Sequence, residues 1–178
     1  MIERGAGEHL ILVGLPGAGK STVGRALAVQ LGVPFLDFDT EIERREGAPV
    51  SRIFRERGEA AFRAMERGLT EELRRAPAHV LAPGGGWMTI PGNAELLRPP
   101  SHVVYLRLSP GAALRRLGAG VARRPLLSGP SPLVALERLY SERDPIYAGA
   151  DVVLDVEHLD LQGVIRNLRQ LASLRGPS

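Results

Sequence analysis

The chain predicts an α/β fold in three layers, with a five-stranded parallel sheet held between two layers of helix. Three observations predict it. Short apolar runs alternate with longer segments of helical periodicity, the order that builds a parallel sheet covered on both faces. The first apolar run ends at Gly14-Leu15-Pro16-Gly17-Ala18-Gly19-Lys20-Ser21, which sets the phosphate-binding pattern G-x-x-x-x-G-K-[ST] between a strand and a helix. The length of 178 residues, with 44% hydrophobic and 24% charged, suits one domain with a real core.

The elements follow in order. His9 to Val13 is the first strand, a short apolar run that ends where the glycines begin. Lys20 to Leu31 is a helix with Val23, Ala26, Leu27 and Leu31 on one face; Gly32 closes it and Pro34 follows as a stop. Val33 to Leu36 is the second strand, running into Asp37-Phe38-Asp39. Thr40 with Glu43 predicts a capping box for the next helix. Pro49 to Arg57 and Glu59 to Arg75 are two further helices, broken near Gly58. Val80 to Ala82 is the third strand and leads through Pro83 into Gly84-Gly85-Gly86. His102 to Leu108 is the fourth strand and Pro110 to Leu117 a short helix. Gly118 to Pro132, rich in Gly, Pro, Ser and Arg, is expected as a mobile loop. Leu133 to Tyr147 is helical until Pro145 interrupts it. Asp151 to Val156 is the fifth strand and Leu159 to Leu174 a final amphipathic helix. No repeat, long linker or second domain is visible, so residues 1–178 are expected to form a single domain.

Composition excludes several classes. Without cysteine there is neither a disulfide framework nor a cysteine-built metal site. No apolar run approaches the ~20 residues of a membrane span, and Met1 to Glu8 lacks the apolar core of a signal peptide. The net charge of +3 favours anionic ligands, but acidic residues are interspersed among the arginines and only 4% of residues are aromatic, which argues against nucleic acid. A cytoplasmic monomer acting on small molecules, with neither nucleic acid nor membrane as partner, is the expectation. His9, His79, His102 and His158 fall at strand or loop edges without ligand spacing and are read as structural.

Of the 23 Lys and Arg residues, only Lys20 is a lysine. A compact ammonium on a flexible stem reaches between phosphates inside a ring of backbone amides, where a guanidinium fork fits poorly. Gly17, Ala18, Gly19, Lys20, Ser21 and Thr22 are therefore expected to hold the phosphates of a nucleoside triphosphate, with Ser21 ligating Mg²⁺. The plain alternative is a glycine-rich turn before an ordinary surface lysine. Asp37 and Asp39 leave a strand end, where ligands bind in such sheets. Two carboxylates one residue apart suit two tasks, one beside a hydrated Mg²⁺ and one accepting a proton from an attacking hydroxyl. Helix capping by Asp39 is the structural alternative.

With these segments in hand, the chain resembles the shikimate kinase family. The resemblance rests on Gly14 to Thr22, Asp37-x-Asp39-x-x-Ile42-Glu43, Gly58-Glu59 with Phe62-Arg63 and Glu66, Gly84 to Gly86, Arg124-Pro125-Leu126-Leu127 and Arg143-x-Pro145-x-Tyr147. It covers roughly residues 10 to 156, in the family's order. It implies a P-loop kinase fold with a shikimate-binding region over about 37–66 and a lid over about 118–132. It implies transfer of the γ-phosphate of ATP to the 3-hydroxyl of shikimate, an acidic cyclic triol, in chorismate and aromatic amino acid biosynthesis. By the resemblance, Arg63 and Arg143 clamp the carboxylate, while Asp39 and Gly84, Gly85 and Gly86 contact the ring hydroxyls. Asp39 is then the base or hydroxyl-orienting group, and Asp37 a partner of Mg²⁺ through water. Arg124 swings over the phosphates from the lid, Arg116 stacks on the adenine, and Glu66 holds Arg63 from the same helix face.

The match has departures. Trp87 stands where the family more often has a small or aliphatic residue, and is either a wall of the acceptor pocket or a side chain packed beneath it. Arg123 is an extra arginine, and one residue is inserted between Arg116 and Arg124. Two rival readings remain: another P-loop small-molecule kinase, such as one acting on gluconate, and a ligand-sensing domain without turnover. Arg63 and Arg143 favour a carboxylated ring and argue against the first. Lys20, Ser21, Asp37 and Asp39, all present, disfavour the second.

Overall fold

Strand β1 (Leu10–Val13) is buried along its whole length. Leu10 and Leu12 pack into one apolar cluster, and Ile11 and Val13 into another on the opposite face of the sheet. A strand reads as a continuous apolar run when both its faces are covered, and the chain supplies the covers in order. After β1 come α1 (Lys20–Leu31), β2 (Phe35–Asp37), α2 (Phe38–Glu46), α3 (Val50–Leu73) and β3 (Val80–Ala82). Then follow α4 (Asn93–Leu97), β4 (His102–Arg107), α5 (Pro110–Leu117), α6 (Pro132–Tyr147), β5 (Val152–Asp155) and α7 (Leu161–Leu174). These coordinates are a computed structural model that describes residues 8–127 and 129–174. The expectation for the first seven residues lies outside that range.

The sheet is five-stranded and parallel, in the order β2-β3-β1-β4-β5. Val23 and Leu27 of α1, Leu136 of α6 and Val164 and Ile165 of α7 pack against Leu10, Leu12, Val104 and Leu106 on one face. Phe38 and Ile42 of α2, and Phe62, Leu69 and Leu73 of α3, pack against Ile11, Val13, Leu81, Val103 and Tyr105 on the other. The connection from the carboxyl end of β1 runs to one side, towards β2, and that from its neighbour β4 to the other, towards β5. That switch point is where such sheets bind ligands, and it is where the glycine loop stands. No helix among the described residues is long and apolar enough to cross a membrane.

Several boundaries differ from the sequence reading, each for a local reason. The strand β2 begins two residues late and runs to Asp37, which then caps α2 by accepting a 3.2 Å bond from the Thr40 amide. Neither the expected capping box nor capping by Asp39 forms. Glu43 instead accepts from the Val50 amide at 2.8 Å and fixes the start of α3. The two helices expected around Gly58 are two arms of α3, which kinks there at φ 80°, ψ 171°. Helix α6 runs through Pro145 to Tyr147, since so near its end the missing N–H removes a single intrahelical bond. The segment expected as a bare loop contains 3-10 turns over Gly118–Arg123 and Pro125–Leu127, anchored by the buried Leu127. The short helix α4 and a 3-10 turn over Trp87–Thr89 carry too few residues to show a period.

At the amino ends of the strands, His9 is buried and fully engaged. Its amide donates to Ser101 Oγ at 3.0 Å, and its Nδ1 accepts from the His79 amide at 3.1 Å. Nε2 must therefore carry the proton, which it donates to the Leu73 carbonyl at 2.8 Å. Burial lowers the His9 pKa, with the Leu73 carbonyl opposing and His79 adding to the shift. The structural reading of this histidine holds.

Candidate active site

A cleft of about 1190 Å³ opens over the carboxyl ends of the strands. Its wall includes Gly17, Ala18, Gly19, Lys20, Ser21, Thr22, Asp37, Asp39, Arg63, Gly84, Gly85, Gly86, Arg116, Arg124 and Arg143. Every residue nominated from sequence lines it except Glu66, which is buried beneath.

The phosphate loop joins β1 to α1. Gly17 has φ 87°, and a Cβ there would lie 2.6 Å from the Ala113 carbonyl oxygen, so both its backbone angle and its closeness to α5 require glycine. Lys20 opens α1 and folds back, its Nζ donating to the carbonyls of Gly14 at 2.8 Å and Leu15 at 3.0 Å. Burial, with the neighbouring Arg124 charge, lowers the Lys20 pKa to about 8. The ammonium is thus still charged near pH 7 and held where an anion would lower its free energy. Ser21 donates to Asp37 Oδ2 at 2.5 Å. A hydroxyl joined to a carboxylate at a helix N-terminus is a donor set suited to a hydrated divalent cation. No group of three or more His, Asp or Glu able to hold a metal by itself occurs among the described residues. A cation here would therefore take its other ligands from phosphate oxygens and water.

Because Asp37 takes the cap, Asp39 is left in the first turn of α2, facing the cleft. Burial, then the charge of Asp37, pushes Asp39 above the usual carboxylate range, with Lys20 pulling the other way. A carboxylate of raised basicity is a better proton acceptor than one in water.

The acceptor end is built from three elements that meet at the glycine turn. A Cβ on Gly84 would lie 2.6 Å from Glu66 Oε1 and 3.3 Å from Asp39 Oδ1. One on Gly85 would lie 2.7 Å from Arg143 Nη1, and one on Gly86 2.7 Å from Arg63 Cζ. Three successive glycines therefore let bare backbone border two carboxylates and two guanidiniums. Arg63 Nη1 donates to Glu66 at 2.6 Å and Nη2 to Glu59 at 2.9 Å, while its guanidinium lies 5.6 Å over the Phe62 ring. Glu66 is fully buried, and burial raises its pKa against the opposing charge of Arg63. Among the described residues, Glu66 Oε1 and Arg143 Nη1 are the buried side-chain atoms that have no hydrogen-bond partner. Each is costly unless something polar joins it.

At the other end, Arg116 donates to the carbonyls of Val156 and, at 3.3 Å, Glu157. Leu117, Leu159, Leu161 and Val164 also line the cleft, an apolar wall that no motif announced. Arg124 is exposed at the rim, between the two 3-10 turns. The Arg123 side chain lies outside what is described. Two tyrosines stand behind the site: Tyr147, read from the sequence only as part of a motif, and Tyr105, not singled out there. The hydroxyl of Tyr147 donates to the Gly85 carbonyl, tying α6 to the glycine turn. Tyr105, 5.0 Å away ring to ring, donates to Asp144 beside Arg143 at 2.8 Å. Trp87 is fully buried in the core and does not line the cleft, which decides between its two readings: it packs beneath the pocket.

Comparison with known proteins agrees with this geometry. The shikimate kinase family model matches residues 16–172. A shikimate kinase of Paracidovorax citrulli (strain AAC00-1) is 43% identical over 188 residues, covering 98% of this chain and 99% of its own. Among solved structures, a shikimate kinase from Acinetobacter baumannii in complex with shikimate superposes with a TM-score of 0.87 at 38% identity, covering 94% of this chain and 93% of that one. A gluconokinase from Sinorhizobium meliloti 1021 covers 96% of this chain and 95% of its own, but at a TM-score of 0.61 and 23% identity, a likeness of fold alone. The chain belongs to the shikimate kinase family.

Proposed function

We propose that Lys20, Asp39 and Arg124 carry out, in this chain, the reaction of its family: transfer of the γ-phosphate of ATP to the 3-hydroxyl of shikimate, giving shikimate 3-phosphate and ADP. The observation that carries this reading is Arg143 Nη1, a buried guanidinium atom without a hydrogen-bond partner, on a side chain that lines the cleft beside the glycine turn. A ligand that brings an anion for Arg143 and hydroxyls for Asp39 and the glycine turn suits this wall. A cyclic polyol acid does so; gluconate presents the same groups on a flexible chain and would lose more conformational entropy on binding.

The phosphates lie on the amides of residues 17–22 at the positive end of α1, with Lys20 leaving its two carbonyls for them. The apolar wall by Arg116 takes the base, which stacks on that guanidinium. Ser21, and Asp37 through water, hold Mg²⁺. When bound, Mg²⁺ neutralises charge across the outer phosphates. Arg63 and Arg143 grip the substrate carboxylate, as planar forks suit a planar anion. Asp39 orients the attacking hydroxyl and takes its proton, its raised basicity matching that task. Arg124 acts from a lid over residues 118–132, closing on the transferring phosphoryl and excluding water. In this reading the shikimate-binding region spans about residues 37–66 of a single domain over 1–178. One chain supplies all the groups named, which supports a monomer, and the reading keeps it in the cytoplasm.

The test is ADP release from MgATP with shikimate, with gluconate, and with neither. Stimulation by shikimate alone is expected. Equal stimulation by gluconate moves the reading to a broader sugar-acid kinase, and ATP binding without any stimulation moves it to a ligand sensor.

A further inference from the structure

Three of the four elements that carry the acceptor groups are α2 with Asp39, α3 with Arg63 and Glu66, and the glycine turn 84–86; the fourth, α6, carries Arg143. One buried side chain touches the first three. Trp87 directly follows Gly86, its indole meets Phe38 edge-on at 6.4 Å and 77°, and Phe38 stands between Asp37 and Asp39. Its Nε1 donates to Thr70 Oγ1 at 2.8 Å, and Thr70 Oγ1 donates in turn to the Glu66 carbonyl at 2.7 Å. Both Trp87 and Thr70 are 0% exposed. On its other side the Trp87 carbonyl accepts from Asn93 Nδ2 at 3.0 Å, and Asn93 Oδ1 accepts from Arg67 of α3 at 3.3 Å.

We propose that Thr70 and Trp87 are positioning residues of the acceptor pocket, a buried clamp that sets the spacing between the glycine turn and the helix carrying Arg63 and Glu66. The proposal rests on the function above and adds two residues that touch no substrate. Gly86 backbone and the Arg63 guanidinium are already so close that no side chain fits between them. A change of a few tenths of an ångström in this spacing would misplace the carboxylate fork and Glu66 together. Phosphate-loop groups stand on β1 and α1, whereas the hydrogen bonds of the clamp run from the glycine turn to α3 and Asn93. Disturbing the clamp should therefore weaken shikimate binding and leave ATP binding alone. A residue that merely fills the core would give no such split.

Three variants of the full chain test it. Thr70→Val keeps the volume but leaves the indole N–H without an acceptor. Trp87→Phe keeps an aromatic ring but has no N–H. Thr70→Ser keeps the hydroxyl. In both Thr70→Val and Trp87→Phe, KM for shikimate should rise about 5- to 20-fold with KM for ATP within about twofold, and Thr70→Ser should restore the native value. Unchanged KM for shikimate in a folded Thr70→Val or Trp87→Phe protein overturns the clamp, as does an equal rise in both KM values. If the variants do not fold, the native protein still decides. Trp87 is the sole tryptophan, so saturating shikimate should change its emission, and a silent emission with turnover intact overturns the coupling. Absence of shikimate turnover in the native protein would instead sink the function itself.

Discussion

At the amino ends of the strands, His9 is buried with its amide and both ring nitrogens paired, across sequence separations of 64 to 92 residues. At the carboxyl ends of the same strands, Glu66 Oε1 and Arg143 Nη1 are equally buried and unpaired. Lys20 and Asp39 there are held away from their ordinary proton affinities. The two regions share a sheet, and both bury polar groups. They differ in whether the protein itself completes the hydrogen bonds. Where it does, the groups contribute stability; where it does not, the open valences cost stability, and the one at Arg143 belongs to a side chain in the cleft wall. Substitutions should therefore separate the two ends: activity lost without stability at one, stability lost without activity at the other.

The largest effect is expected at Lys20. Lys20→Ala should reduce kcat/KM by at least ~10³-fold, the scale for losing a cation on a transferring phosphoryl group. Its thermal midpoint should not fall, because burial already disfavours the charge being removed. Steady-state turnover and a melting curve check both. A variant with near-native turnover would show the loop lysine to be structural. Next comes Asp39→Asn, which keeps the shape and removes the base. The expectation is ~10²-fold lower kcat with little change in KM for shikimate. A loss of only a few-fold would leave Asp39 an orienting group alone.

The comparison also explains what could be read in advance. The carboxyl end was legible because its chemistry is local: Gly14 to Ser21, Asp37 to Asp39 and Gly84 to Gly86 are contiguous runs whose spacing carries their geometry. The amino end was not. His9, His79, Leu73 and Ser101 have no common motif, and only the packed sheet brings them together. The same limit hid the bond from Thr70 to Trp87, seventeen residues apart. Asp37 rather than Asp39 caps α2 because β2 runs on to Asp37, paired with Ala82, one residue past the expected Leu36, and strand ends depend on pairing partners that sequence does not show.

A third substitution breaks the amino end. His9→Ala leaves the His79 amide without its partner, takes one of two donors from the Leu73 carbonyl, which keeps the Ala76 amide, and opens a small void, for a loss of about 2–4 kcal/mol. Urea unfolding measures it, and kcat/KM for both substrates should stay native. If activity falls with stability, the two ends are coupled through the sheet and do not act separately.

The smallest effect is the pH dependence of that same histidine. Its folded pKa lies below the unfolded value of 6.5, so between the two the unfolded chain binds more protons and stability rises with pH. The contribution is complete above about pH 6.5 and is lost as pH falls from there through the folded value. Asp39 and Glu66 act in the opposite sense: with folded pKa values raised above 3.8 and 4.5, they favour the folded state at low pH and lose that contribution as pH rises. The net curve of the native protein mixes both signs, so the informative quantity is the difference between native and His9→Ala unfolding free energies across pH 5 to 8. That difference should shrink as the solution is acidified, since the variant has no imidazole to protonate. A difference that stays flat across the window would mean that His9 takes up its proton as easily in the fold as in the open chain, and the amino end would then not be the closed, fully paired counterpart of the site.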